Sequence, residues 1–143
     1  MTSEAVPPEA AEILKTARTI AVLGMKGRDE RGEPAYGVPA YLKQKGYTII
    51  PVNPELADAG EPGAVASLAE LAEAPDVVQV FRRSKAVAGH LDELLALKPG
   101  AVWMQQGIRN DAVAERLRAA GITVVQDRCM YHDHAVLSQS GKI

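Results

Sequence analysis

The chain has 143 residues, of which 47% are hydrophobic and only 4% aromatic, with a formal net charge of −2. That length suits one compact domain over 1–143, with a Val, Leu, Ile and Ala core of the kind that packs helices on a buried parallel sheet. The balanced charge argues against nucleic acid or an anionic membrane as partner, no apolar run approaches the roughly 18–20 residues of a spanning helix, and the single cysteine, Cys129, excludes an internal disulfide framework.

Pro7-Pro8 introduces a first helix with Ala10, Ile13, Leu14 and Ala17 on one face. Thr19–Leu23 is an apolar run too short for a helix and is stopped by glycine, so it reads as the first strand. A polar loop, Lys26–Pro34, leads to a helix over Tyr36–Lys45, with Pro39 in its first turn and Gly46 as its stop. Thr48–Val52 is the second strand, ended by Asn53-Pro54, and a Gly/Pro-containing connection runs on to Val65. Ser67-Leu68-Ala69-Glu70 has the capping-box form that begins a short helix.

Asp76–Phe81 carries Val77, Val78 and Val80 and is expected to be a central strand. Ser84 is placed to N-cap a helix whose inner face is Val87, Leu91, Leu94 and Leu95, broken by Pro99-Gly100. Ala101–Met104 is a further strand, and Asn110 caps a helix with Val113, Leu117 and Ala120 inward. Gly121 stops that helix before the last strand, Ile122–Val125, and a final helical turn is expected near Ala135–Leu137. Strands alternating with helices imply an α/β fold: a Rossmann-like, doubly wound parallel sheet of five to six strands with helices on both faces.

In such a sheet the ligand crevice lies at the C-terminal ends of the strands, and polar or basic groups follow each strand here. Gly24-Met25-Lys26-Gly27 forms a bend where backbone amides and the Lys26 or Arg28 side chains would hold a diphosphate. The full G-x-G-x-x-G fingerprint is absent, and the same residues also read as a plain tight turn. Asn53-Pro54 stands where nicotinamide-binding folds place a ribose carboxylate, which disfavours NAD, although the pair also reads simply as a turn.

Phe81-Arg82-Arg83-Ser84 offers two planar guanidiniums for phosphate and one aromatic face for an adenine or an apolar arm. The competing reading is a solvated loop with Phe81 as a core plug. Gln105-Gln106-Gly107 adds amide groups and a glycine that lets a ligand approach the backbone. Cys129, His132, Asp133 and His134 match no zinc spacing and include no assignable base-orienting group, so no catalytic or metal site is assigned. They read instead as a small residue near the crevice and as surface or helix-cap histidines.

In their order, these motifs, with Tyr36-Gly37-Val38 and Asp127-Arg128-Cys129, resemble the coenzyme A-binding protein family, similar to the N-terminal domain of the succinyl-CoA synthetase α subunit. The resemblance runs from about Thr19 to about Leu137. It implies coenzyme A as cofactor and Gly24, Met25, Lys26, Gly27, Asn53, Pro54, Phe81, Arg82, Arg83, Gln105 and Gly107 as contact residues. The first loop departs from the family in its charge, which leaves Lys26, Arg28 and Arg31 all candidates for phosphate. The synthetase's phosphohistidine and nucleotide-grasp partner lie outside this domain, so binding is inherited without ligase chemistry.

The expected role is thus a non-catalytic carrier, sensor or accessory subunit that binds coenzyme A or an acyl-CoA. An N-terminus without a signal-peptide pattern and a lone thiol place it in the cytoplasm. The tail after Tyr131 offers a contact for a second copy or a partner enzyme subunit. The alternatives are a NAD(P)-binding redox domain, or an acyl-CoA hydrolase or transferase using Cys129 or His134.

Overall fold

Five strands, β1 (Thr19–Leu23), β2 (Thr48–Val52), β3 (Val77–Val80), β4 (Ala101–Met104) and β5 (Thr123–Val125), form one all-parallel sheet in the order β2-β1-β3-β4-β5. The computed structural model describes residues 5–143; Met1–Glu4, part of the expected domain and of the N-terminus read for a signal peptide, lie outside the described residues. Among the described residues six helices flank the sheet: α1 (Pro8–Thr16), α2 (Pro34–Gln44), α3 (Pro54–Asp58), α4 (Leu91–Leu97), α5 (Asp111–Ala119) and α6 (Met130–Gln139).

The apolar runs form strands buried on both faces because alternate side chains feed two cores. Ile20, Val22, Val77, Trp103 and Val125 pack under α1, α2 and α6. Ala21, Leu23, Val78, Val80, Val102 and Met104 pack under α4 and α5. The doubly wound sheet expected from the sequence is therefore present, with five strands.

Several local expectations change. Helix α2 begins at Pro34, so Pro39 lies in the helix interior rather than the first turn. Pro39 has no N–H to offer the Ala35 carbonyl one turn back. That carbonyl accepts the Lys26 N–H instead, at 3.1 Å. Asn53-Pro54 opens the short helix α3, with the Asn53 side chain as its cap. The capping box does not close: Glu70 Oε1 accepts from Ala66 N–H at 3.1 Å, and only a single tight turn, Leu68–Glu70, forms.

Ser84 accepts from the Arg109 N–H at 2.9 Å rather than capping a helix. A tight-turn stretch, Ser84–His90, therefore precedes α4. On α5, Ala114 faces inward where Ala120 was expected, and Ala120 is exposed. The tail forms the ten-residue helix α6 rather than one turn.

At the N-terminal end of the sheet, Asp76 joins β3 to β1. Its carboxylate accepts from the Arg18 N–H at 2.7 Å and the Thr19 N–H at 3.1 Å, and its own N–H donates to Thr19 Oγ1 at 2.9 Å. The backbone bond from Arg18, followed by that from Thr19, holds the Asp76 pKa below its ordinary value. A depressed pKa means the stabilisation is present above the unfolded carboxylate value and is lost as pH falls through the folded one. Asp76→Ala is expected to lower stability at neutral pH, with the gap to wild type closing below about pH 4. Urea unfolding across pH tests this; a gap that stays constant into strong acid would refute it.

Candidate functional site

β1 and β3 are neighbours, yet the chain leaves them toward opposite faces: β1 leads to α2 on one side, β3 to α4 on the other. Divergence of this kind opens a crevice at the C-terminal ends of parallel strands. A cleft of about 770 Å³ lies there. It is walled by Lys26, Arg31, Ala35, Val38 and Tyr41 from the β1–α2 segment, Phe81 and Gln105 from the tips of β3 and β4, Gln106, and Cys129 and Tyr131 where α6 begins. Its size suits a cofactor-sized ligand. A hollow of about 780 Å³ beside β5 is lined by Arg109, Arg118 and Arg128 with Glu9, Asp111 and Glu115. It lies at the sheet edge and away from the strand divergence, which makes the switch-point cleft the better candidate.

Gly24 makes the junction of β1 and β3 feasible. Its φ is +86°, and a Cβ there would lie 2.8 Å from the Phe81 carbonyl oxygen, so only glycine fits. Its N–H donates to Val52 O at 2.9 Å, and the Lys26 N–H is held by Ala35. These two amides are engaged within the protein, and the positive charge on this wall comes from the Lys26 and Arg31 side chains. Glu33 lines the same wall, and Glu30 Oε2 lies 3.6 Å from Lys26 Nζ at the surface. The first turn of α2, at Glu33–Ala35, also opens onto the cleft with the positive end of its dipole.

Asn53 ties this loop to β2. Its Nδ2 donates to Met25 O at 2.8 Å, and its Oδ1 accepts the Glu55 N–H at 2.8 Å. Met25 and Gly27 line a smaller hollow of about 180 Å³ behind the loop, with Lys26, Arg28, Lys43 and Leu56. Pro54 heads α3 outside both spaces. Arg82 and Arg83 are exposed and do not line the cleft, although the Arg82 Cδ lies 3.3 Å from where a Gly24 Cβ would be. Gly107, at φ +88°, also stands outside the lining, and its N–H donates to Asp127 Oδ1 at 2.6 Å.

On the floor, the buried Gln105 is anchored by its Oε1, which accepts from Gln79 Nε2 at 3.1 Å and from the Met130 N–H at 3.3 Å. Next to it, the loop carrying Cys129 is held by three bonds. Trp103 Nε1 donates to Arg128 O at 2.8 Å, and Arg128 grips the buried Asp133 with two bonds of 2.7 and 2.9 Å. The bond to Asp133 raises the Arg128 pKa further above its already high value.

Tyr41 and Tyr131 meet edge-to-face at 4.4 Å on the cleft's outer side. The Tyr41 hydroxyl shares a hydrogen bond of 2.9 Å with His134 Nδ1. The expectation of surface histidines holds for the exposed His132 but not for His134, which α6 buries against Tyr41 and Tyr47. That burial, aided by Lys45, pushes the His134 pKa down.

The structure thus brings Lys26, Phe81 and Gln105 together in one cleft, with Gly24 and Asn53 shaping its edge. Gln106, read with Gln105 as a source of amide groups, also lines it, whereas sequence reasoning did not place Tyr41 or Tyr131 there. The i,i+3 spacing of Val38 and Tyr41 carried a signal for one of them. Tyr131 had none, because its orientation depends on α6.

Residues 18–135 match the family model described as a CoA binding domain. The chain therefore belongs to this CoA-binding domain family, which is the family of the succinyl-CoA synthetase α N-terminal domain. It is 38% identical over 128 residues to an uncharacterised Bacillus subtilis protein, YneT, covering 90% of this chain and 93% of YneT. A solved structure from Thermus thermophilus, cell-free ID.343, is 46% identical with a TM-score of 0.83, covering 90% of this chain and 96% of that one. A hypothetical protein from Pyrococcus horikoshii OT3 is 25% identical with a TM-score of 0.81, covering 94% of each chain.

The Arg128–Asp133 pair yields a stability prediction. Asp133→Ala would strand a guanidinium whose side chain is only 26% exposed. A loss of about 2–4 kcal/mol is expected, toward the low side of what breaking a buried ion pair costs. Denaturant unfolding measures it, and a change below about 0.5 kcal/mol, as for an ordinary surface site, would show the pair to be ornamental.

Proposed function

We propose that this chain binds coenzyme A or an acyl-CoA in the switch-point cleft, as a non-catalytic cytoplasmic carrier, sensor or accessory subunit. The observation that carries the reading is the two-ended chemistry of the cleft. Lys26 and Arg31 stand on one wall, and Phe81, Tyr41, Gln105 and Cys129 form an uncharged remainder. Coenzyme A has the matching form, with its phosphates gathered around the adenosine end and a long uncharged arm ending in the thiol. Arg82 and Arg83, at the same end of the sheet, are assigned to the 3′-phosphate. Membership of the CoA-binding domain family supports the same ligand.

The NAD reading is less well supported. The residue after β2 is Asn53, and both ends of its amide are already bonded to Met25 and Glu55. The residue that directly follows β2 is therefore an amide where nicotinamide folds use a carboxylate, and Glu55 comes only after Pro54, inside α3. A hydrolase or transferase reading fares no better, because His134 Nδ1 is engaged by Tyr41 rather than by Cys129.

Thermal unfolding with coenzyme A, acetyl-CoA, dephospho-coenzyme A and NAD tests the proposal. A ligand at 100 times its dissociation constant adds about 2.7 kcal/mol, which raises Tm by several degrees in a domain of this size. The coenzyme A forms are expected to do so and NAD is not; an equal response to NAD would overturn the reading. In the Arg82→Ala/Arg83→Ala variant, coenzyme A is expected to weaken more than dephospho-coenzyme A. Identical losses would move the arginines off the 3′-phosphate.

Cys129 lines the cleft and is partly exposed, so a bound thiol arm lies within its reach. With coenzyme A disulfide, the Cys129 thiolate would attack one sulfur, form the mixed disulfide and release one coenzyme A thiolate. Intact-protein mass spectrometry is expected to show that adduct in the wild type and not in Cys129→Ser. An unmodified wild-type mass would place the thiol end elsewhere.

A further inference from the structure

Gln79 is a fully buried polar side chain in the middle of β3, and its Oε1 has no hydrogen-bond partner among the described residues. A buried amide oxygen left unpaired is destabilising, and one that persists calls for a reason. The reason lies in the chain of bonds that starts at α6. The Met130 backbone N–H can only donate, so the atom of Gln105 that it meets at 3.3 Å is the carbonyl oxygen. The group of Gln79 facing that same oxygen at 3.1 Å must then be its NH₂. Gln79 Oε1 is consequently turned away, into a core that offers it no donor.

The outcome at the cleft is the opposite of indifferent. With Oε1 held from two sides, and the Gln105 backbone N–H fixed to Val80 O at 3.2 Å, the amide cannot turn over. What Gln105 has left for the cleft it lines is Nε2, a donor without a partner among the described residues. An unanchored glutamine would serve donors and acceptors equally, whereas this one serves acceptors.

We propose that Gln79 is a positioning residue that locks Gln105 as a hydrogen-bond donor beside Cys129, and that this donor selects acyl thioesters over free coenzyme A by binding the thioester carbonyl oxygen. The inference rests on the coenzyme A reading above. The cations on the wall come from the loop after β1, and Gln105 stands at the tip of β4, two strands away. That separation is about 10 Å, so a ligand whose phosphates lie at β1 brings its uncharged arm to Gln105. The arm's terminal sulfur carries a carbonyl oxygen only when it is acylated.

The test compares acetyl-CoA, free coenzyme A and S-ethyl-coenzyme A, a thioether of similar size that lacks the carbonyl. Isothermal titration is run on the wild type, Gln105→Leu and Gln79→Leu, with Tm recorded to establish folding. The wild type is expected to bind acetyl-CoA about tenfold tighter than the thioether, the size of one good neutral hydrogen bond. In Gln105→Leu the ratio should fall to about one, whatever affinity is lost in common by the two ligands. In Gln79→Leu the ratio should drop severalfold although the core oxygen that lacked a partner is gone, a change no purely structural role would produce.

Equal wild-type affinity for acetyl-CoA and the thioether would overturn the inference and leave the coenzyme A reading intact. A ratio untouched by Gln79→Leu would remove Gln79 from it, and one untouched by Gln105→Leu would end it; the latter decides the matter if the core variant fails to fold. Failure of all three ligands to bind the wild type would refute the underlying reading and the inference together.

Discussion

The site depends on how closely the chain can pass where it leaves β1 and β3. These strands are hydrogen-bonded neighbours, but their continuations turn to opposite faces of the sheet. At the point of parting, the Gly24 Cα lies so near the Phe81 carbonyl that a Cβ would meet it at 2.8 Å. A bulkier residue would push the two exits apart or tilt the first loop over the cleft. The glycine read in the sequence as part of an anion-binding bend therefore acts first as a spacer between strands. Its own N–H is committed to Val52 O.

Around that junction the walls are held by bonds that ordinary secondary structure does not supply. Pro39, inside α2, leaves the Ala35 carbonyl without its helical donor, and the Lys26 amide fills the gap. Asn53 bonds to Met25 on one side and caps α3 on the other. Arg128 answers both Trp103 and Asp133 and so sets where Cys129 emerges. Each fixes the backbone of a loop that lines or backs the cleft. A pocket ordered before its ligand arrives has less conformational freedom to lose on binding.

The parts of this arrangement legible in the sequence were those governed by local patterning. Val-rich runs such as Val77–Val80 announce buried parallel strands, and Asn110 announced its cap on α5. What escaped was governed by partners distant in sequence. Helix α6 carries Asp133 and His134 on its buried face, a pattern that reads as surface until Arg128 and Tyr41 are known to meet them. Ser84 has the chemistry of a helix cap, but Arg109 takes its hydroxyl. Lys26, Phe81 and Gln105 were legible because residues just past parallel strands must gather at one end of a sheet. The exposed placement of Arg82 and Arg83 could not be read this way, since position after a strand does not say which way a side chain turns.

Doubly wound sheets hold many ligands at the same switch point, so the fold alone does not choose among them. The choice is made by what faces the cleft, and here the aromatic side speaks for contact rather than proton transfer. Burial keeps the His134 pKa low, and burial together with Tyr131 keeps the Tyr41 pKa high. At neutral pH the imidazole and the phenol are therefore both uncharged, and their 2.9 Å bond fixes a ring face rather than poising an acid or a base. A general acid or base needs a pKa near the working pH, and these two are displaced away from it in opposite directions. The same displacement suits Tyr41 as a wall of the cleft, because neither its phenol nor the His134 buried behind it, outside the lining, acquires a charge that a ligand would have to desolvate.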